Sequence, residues 1–351
     1  MMILNIFTDI HELLLGLMSE EAAHILELVL IAAGYLGIFA ILGLLLVWLE
    51  RRVAGFFQLR LGPNRVGPMG LFQTIADALK LVSKELTGTV KADMQLYKLA
   101  PYFVITTALM SLALIPFSYE IHAFDINIGL FFLTSVSSIG VIGIFLAGWA
   151  SNNKYSLIGG MRTGIQMISY ELSVGMSIVT MVVLAGTLQI SEIVEIQKDG
   201  WLIFKGHIPA LIAFMVFMIA GTAESNRTPF DLVEAESELG AGFHTEYSGM
   251  NFAYYFLAEF VNLFIISSVA VVLFFGGWLS PFGITDSIPF AGLFWFGIKV
   301  VGVIFIFMWF RWTFPRFRID QLLTLEWKYL LPINIVNIVL MALMVWLGLT
   351  F

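Results

Sequence analysis

Eight apolar stretches of about 20 residues dictate the solvent of this chain. They fall at 28–49, 99–119, 128–150, 167–188, 207–223, 252–278, 292–310 and 330–350. About 20 apolar residues in a helix cross the hydrocarbon core of a bilayer. Backbone N–H and C=O groups find no water there, so a continuous apolar stretch has to satisfy them within its own helix. The expected fold is an all-α polytopic membrane protein with eight transmembrane helices, forming one membrane domain over 28–351. Charged residues make up only 12% of the chain, against roughly 25% in soluble proteins, and no soluble domain separates the spans. Residues 1–27 contain Asp9, Glu12, Glu20 and Glu21 but no Lys or Arg. They lack the positive start of a signal peptide and read as a retained amphipathic lead-in.

Orientation follows from the basic residues. Of 18 Lys and Arg, 15 lie in the odd-numbered connections at 50–98, 151–166, 224–251 and 311–329. Lys198 and Lys205 lie in the connection between spans 4 and 5, and Lys299 falls within span 7. The positive-inside rule places the odd connections in the cytoplasm and both termini outside. The chain has no cysteine, which excludes a Cys-ligated iron–sulfur cluster or zinc and any disulfide framework. A net charge of −7 without a basic tail argues against a nucleic-acid partner.

The inner connections carry the most pattern. After ERR at 50–52 comes GFFQLRLGPNRVGPMG, in which Gly and Pro punctuate successive turns. In the following LFQTIADALKLVSKEL, Leu71, Ile75, Leu79, Val82 and Leu86 form one helical stripe, with Asp77, Lys80 and Lys84 off it. An amphipathic helix in the membrane interface is expected. Both a surface anchor and the rim of a portal for a lipid-soluble substrate fit it.

The 5–6 connection places six of the chain's 25 acids within 23 residues: Glu224, Asp231, Glu234, Glu236, Glu238 and Glu246. Asp231, Glu234 and Glu238 would stack on one face of a helix. Repulsion among them raises some carboxyl pKa values toward neutrality. A proton relay and a solvated or partner-docking acidic face both remain open. Glu171 and Glu259 lie near the inner ends of spans 4 and 6, where burying an ionisable group costs about 2.5–3.5 kcal/mol at a helix centre. Their default reading is functional, with a Glu259–Lys299 ion pair as the structural alternative. In the 7–8 connection, Arg311, Arg316 and Arg318 alternate with Trp312, Phe314 and Phe317. Arginine can hydrogen-bond a carbonyl while aromatics cover a ring, which suits a quinone headgroup; ordinary snorkelling also explains them.

Together, ERRVAGFFQLRLGPNRVGPMG, QTIADALKLVSKE, AESNRTPFDLVEAESELGAGFHTEYSG and FPRFRIDQLLTLEWK resemble the H-subunit family of type I NADH:quinone oxidoreductases, respiratory complex I. The likeness runs from the first span to the last. It implies an enzyme subunit that is not catalytic alone and has no redox cofactor of its own. FMN and iron–sulfur clusters would lie in peripheral-arm partner subunits, and antiporter-like and small membrane subunits would be further partners. It also implies the membrane part of a quinone tunnel, bordered by Arg51, Arg60, Arg311 and Arg316, with Phe56, Phe57 and Gln58 in the matching segment. Glu171, Glu224, Asp231, Glu234, Glu236, Glu246 and Glu259 would form an acidic path for proton translocation, and Asp77 and Lys80 would lie on the portal helix. Gly240 departs from the family's pattern, in which a bulkier apolar residue is expected. The lead-in, without a targeting sequence, points to a bacterial inner membrane, with an organellar inner membrane as the alternative. The equivalent subunit of a membrane-bound hydrogenase is a related alternative. A stand-alone secondary transporter is the rival of another class, but the spans show none of the internal symmetry that class often carries.

Overall fold

Residues 19–89, 91–119, 121–232, 236–281 and 291–350 are described in a computed structural model of the chain. Of the lead-in, 1–18 lie outside the described residues, as does Glu234; the side chain of Glu236 lies outside them too. Eight helices are long and apolar enough to span a bilayer. They are span 1 (Glu20–Phe57), span 2 (Met94–Ala113), span 3 (Gly129–Ala150), span 4 (Lys154–Ala185), span 5 (His207–Glu224), span 6 (Gly249–Phe274), span 7 (Ala291–Thr313) and span 8 (Ile319–Trp346).

Span 6 forms the centre, with 78% of its apolar window buried, against 17% for span 1 and 22% for span 8. It packs on spans 1, 2, 5 and 7, while span 4 packs on spans 3, 5 and 8. Without a hydrophobic drive between helices in lipid, close backbone approach supplies much of the packing. Spans 3 and 4 show this directly: a Cβ added to Gly148 would stand 3.0 Å from the Cα of Gly160.

Several helices run beyond their apolar stretches. Span 4 begins at Lys154, not 167, because Asn153 caps it by accepting a 3.0 Å hydrogen bond from the Tyr155 amide. It ends at Gly186, whose φ of 77° allows a left-handed cap. Span 1 continues to Phe57, so Glu50, Arg51 and Arg52 occupy its last turns and not a loop. Span 8 begins at Ile319 and passes through a π-helical segment, Leu325–Leu330, before Leu331–Trp346. The long connection expected over 311–329 therefore shrinks to a short link around Pro315.

The odd-numbered connections meet at one end of the bundle. Thr87 bonds Ser248, Asn152 bonds the Lys91 carbonyl, and Arg162 bonds Glu238. At the other end, Gln189 bonds Asp125 and the Gln197 side chain bonds the Val272 carbonyl. The amphipathic helix, Gln73–Ser83, lies by the first of these ends. Ile75, Leu79 and Val82 of its stripe are exposed, so this chain does not cover them.

Candidate functional site

The ends of spans 1 and 7 and the 5–6 connection converge on a buried ionic network. Arg227 is only 4% exposed, although it follows the last turn of span 5. Its amide bonds the Thr222 carbonyl at 3.2 Å, which turns the chain back over the helix end. Its guanidinium Nη1 donates to Glu50 Oε2 at 2.9 Å, and Nη2 lies 3.3 Å from Glu259 Oε1. The guanidinium carbon stands 4.4 Å from the centre of the Phe260 ring, a cation–π placement. Glu50 Oε1 pairs with Arg311 Nη1 at 2.5 Å. Two carboxylates thus alternate with two guanidiniums, and each buried charge has an opposite neighbour.

This arrangement overturns the Glu259–Lys299 pairing. Glu259 turns to Arg227. The Lys299 ammonium instead donates to the carbonyls of Phe275, Gly277 and Leu279 at 2.7, 2.9 and 2.7 Å, clasping the far end of span 6.

Glu259 also lines a cavity of about 30 Å³ with Glu224, Asn226, Tyr255 and Asn262. That volume suits one or two waters. One oxygen of Glu224 is buried without a hydrogen-bond partner. Glu171, hydrogen-bonded by Ser138, interacts electrostatically with Glu224. The structure therefore brings Glu224 and Glu259 to one cavity, sets Glu171 within electrostatic reach of Glu224, and places Arg227 between Glu259 and Glu50.

The other acids sit apart. Asp231 is not helical, so it does not stack with Glu238 as the spacing suggested. Arg316 bridges the two differently, donating to the Asp231 carbonyl at 3.4 Å and lying 3.9 Å from Glu238. Glu238 also pairs with Arg162 at 2.7 Å. That hydrogen bond and charge hold its carboxyl below the ordinary range. Glu246 accepts from Asn153 at 2.5 Å, and its carbonyl accepts from Tyr97 at 2.7 Å.

Arg51 leaves span 1 beside Glu50 but pairs with Asp77 at 2.6 Å, tying span 1 to the amphipathic helix. Arg60 bonds Gln58 at 2.6 Å, and Phe56 is 78% exposed. These residues stand on the surface of this chain, whereas Arg311 belongs to the buried network. Lys80 enters no ion pair among those found in the described residues, although its charge acts on Asp77.

Glu50 and Arg227 are absent from the expected site residues, yet they form its centre. A lone arginine among acids, and a glutamate ending an apolar span, were the available signals. Glu326 was missed as well: in span 8 it is fully buried and accepts from Ser173 at 2.5 Å.

These features define a polytopic membrane protein that concentrates paired and unpaired ionisable groups at one end of its bundle. A family described as NADH dehydrogenase matches residues 29–342. The chain is 56% identical over 350 residues to the H subunit of NADH-quinone oxidoreductase from Bacteroides thetaiotaomicron, covering 97% of each. It is 49% identical over 299 residues to the H subunit of the Brevibacillus brevis enzyme, covering 85% of this chain and 87% of that one. It is 47% identical over 310 residues to NADH-quinone oxidoreductase subunit 8 of Rhodothermus marinus, covering 85% and 91%. This chain belongs to the NADH dehydrogenase family.

Proposed function

We propose that this chain forms the membrane part of a quinone tunnel and the first section of an acidic path that couples quinone reduction to proton translocation. It is a membrane subunit of a multi-subunit NADH–quinone oxidoreductase and is not catalytic alone. Its place is a bacterial inner membrane, with both termini on the outer face. FMN and iron–sulfur clusters belong to partner subunits, since a chain without cysteine offers no thiolate for a cluster. Peripheral-arm subunits complete the tunnel, and antiporter-like subunits receive the coupling signal.

The observation that carries this reading is the double role of Glu50. It holds Arg311, the arginine that the proposed tunnel meets, and Arg227, which reaches Glu259 on the small cavity. A charge change beside Arg311 reaches the cavity through three successive ion pairs, Arg311–Glu50, Glu50–Arg227 and Arg227–Glu259. Quinone enters from the bilayer beside Gln73–Ser83, passes Arg51, Phe56, Gln58 and Arg60, and meets Arg311 and Arg316. Protons or electrostatic strain then move through Glu224, Glu259 and Glu171, and Asp231, Glu234, Glu236 and Glu246 belong to the same acidic path.

The test uses the intact complex in native membranes. Arg311→Lys keeps the charge but loses the planar fork. It should raise the KM for quinone while leaving NADH oxidation by a hydrophilic artificial acceptor intact. An unchanged quinone KM removes Arg311 from the tunnel. A chain that purifies free of flavin and iron–sulfur proteins and transports a solute alone overturns the whole reading.

A further inference from the structure

Away from the acids around Glu224, a second polar line runs between spans 4 and 8. Ser169, Ser173 and Ser177 recur every four residues on one face of span 4 and are all buried. Span 8 answers them. Trp327 donates to Ser169 Oγ at 3.3 Å, Ser173 donates to Glu326 Oε1 at 2.5 Å, and Asn334 donates to the Ser173 carbonyl at 3.2 Å. Ser177 lies 3.4 Å from Asn334 Oδ1, and Asn337 donates to the Pro209 carbonyl of span 5 at 2.9 Å.

Glu326 is the ionisable member of this line, and it is 0% exposed. Its Oε2 is buried without a hydrogen-bond partner, and no Lys, Arg or His pairs with it among the described residues. Span 4 is the neighbouring element packed on the π-helical segment, and from it Tyr170 is the titratable group that interacts with Glu326. Tyr170 spends its hydroxyl on the Leu322 carbonyl at 3.0 Å. Glu171, next along span 4, is taken by Ser138, and Lys328 stands on the exposed side by the Tyr329 ring. Glu326 also sits in the π-helical segment itself, a distortion that often marks functional sites in helices. Two asparagines and three serines would pack an apolar seam poorly, and a buried carboxyl would be costly there without a use for its proton.

We propose that Glu326 is a proton-binding site in the seam between spans 4 and 8, separate from the acids around Glu224. One proton binds Oε2 and leaves again to water as hydronium, while Ser173 keeps its hydrogen bond to Oε1; no bond between heavy atoms changes. This rests on the reading of the complex as a proton translocase only for the purpose of the site, not for its existence.

The test is infrared difference spectroscopy of the intact complex between two pH values and between its oxidised and NADH-reduced forms. The expected result is a carbonyl band of a protonated carboxyl that Glu326→Gln removes and Ser173→Ala shifts. Proton gradient formed per NADH in sealed vesicles should fall in Glu326→Gln, with NADH oxidation by an artificial acceptor unchanged. Difference spectra of Glu326→Gln that superimpose on those of the unaltered complex overturn the proposal. If Glu326→Gln fails to assemble, Glu326→Asp and Ser173→Ala are read in its place: an unshifted band in both overturns it. An unaltered complex that does not reduce quinone would sink the functional reading instead, and the band would still decide the fate of Glu326.

Discussion

Arg227 Nη1 lies 2.9 Å from Glu50 Oε2 across 177 residues of chain. The same carboxylate holds Arg311, so it bridges two guanidiniums, with Glu259 supplying the second negative charge. Removing one partner of a buried pair costs about 3–5 kcal/mol, because the remaining charge stays uncompensated. Glu50→Ala should therefore lower the thermal midpoint of the solubilised complex more than Glu259→Ala does. Glu259 lies farther from Arg227, at 3.3 Å, and its side chain is 21% exposed against 11% for Glu50. Thermal melts followed by intrinsic fluorescence, together with the yield of assembled complex, make the comparison. Equal losses would show that Glu50 is not the keystone of the network.

The Arg51–Asp77 pair fastens the amphipathic helix to span 1 from a more exposed position, with side chains 41% and 29% exposed. Partial burial pushes the Asp77 carboxyl up. The hydrogen bond and charge of Arg51, aided by Gln73 and Lys80, outweigh it and hold the group below its ordinary 3.8. A depressed carboxyl stabilises the fold above its unfolded pKa, and that contribution is lost as pH falls through the folded value. Part-exposed pairs contribute about 1 kcal/mol at most. Asp77→Asn should therefore loosen the helix without unfolding the protein. A spin label at the exposed Leu79 would report greater mobility at neutral pH, and the unaltered pair should loosen similarly only below pH 3.8. A label indifferent to both changes would show that other contacts dock this helix.

The eight spans were legible because each apolar stretch declares its solvent without reference to any other. Their ends were not. Residues 154–166 contain Lys154, Arg162 and three glycines, so hydropathy falls there, yet the Asn153 cap and the Gly148–Gly160 approach keep the segment helical. The same effect concealed Glu326: with span 8 expected to begin at 330, it read as a loop acid. The intramembrane rule singled out Glu171 and Glu259 because both fell inside recognised spans. Neither hydropathy nor spacing can pair Glu50 with Arg227, since that contact depends on how spans 1, 5 and 7 meet. The cluster of acids was visible, but its division was not: Arg316 and Arg162 take Glu238, while Glu224 and Glu259 share the cavity.

Gly240 follows the short helix Glu236–Leu239 and adopts φ of 74°. An added Cβ would meet nothing within 4 Å, so only the backbone conformation demands glycine. A left-handed conformation costs an ordinary residue about 1–2 kcal/mol, and asparagine less. The glycine thus supplies a turn after the helix that a bulkier apolar residue would resist. Gly240→Val should reduce the yield of assembled complex or its quinone-linked turnover, while Gly240→Asn should stay near the unaltered level. Tolerance of valine with full turnover would mean that the turn is not required in the working complex.

His244 stands at the end of the turn Gly242–His244, between the rings of Phe243 and Phe252, whose centroids are 5.0 and 5.3 Å away. Burial among them pushes its imidazole down from 6.5 to about 4, since an apolar setting disfavours the charged ring. The unfolded segment therefore binds more protons than the folded one between these values. Local stability is complete above pH 6.5 and declines as pH falls toward 4. Glu246 and Tyr247 follow two and three residues on, and Glu246 anchors the turn to Asn153, so loosening should spread through this part of the 5–6 connection. Hydrogen exchange of peptides covering 240–250, corrected for its intrinsic pH dependence, should quicken in the intact complex as pH drops through that window. His244→Asn removes the titrating ring and should flatten the response, while exchange in span 6 itself stays slow. A pH response of equal size in the variant would place its origin in other groups.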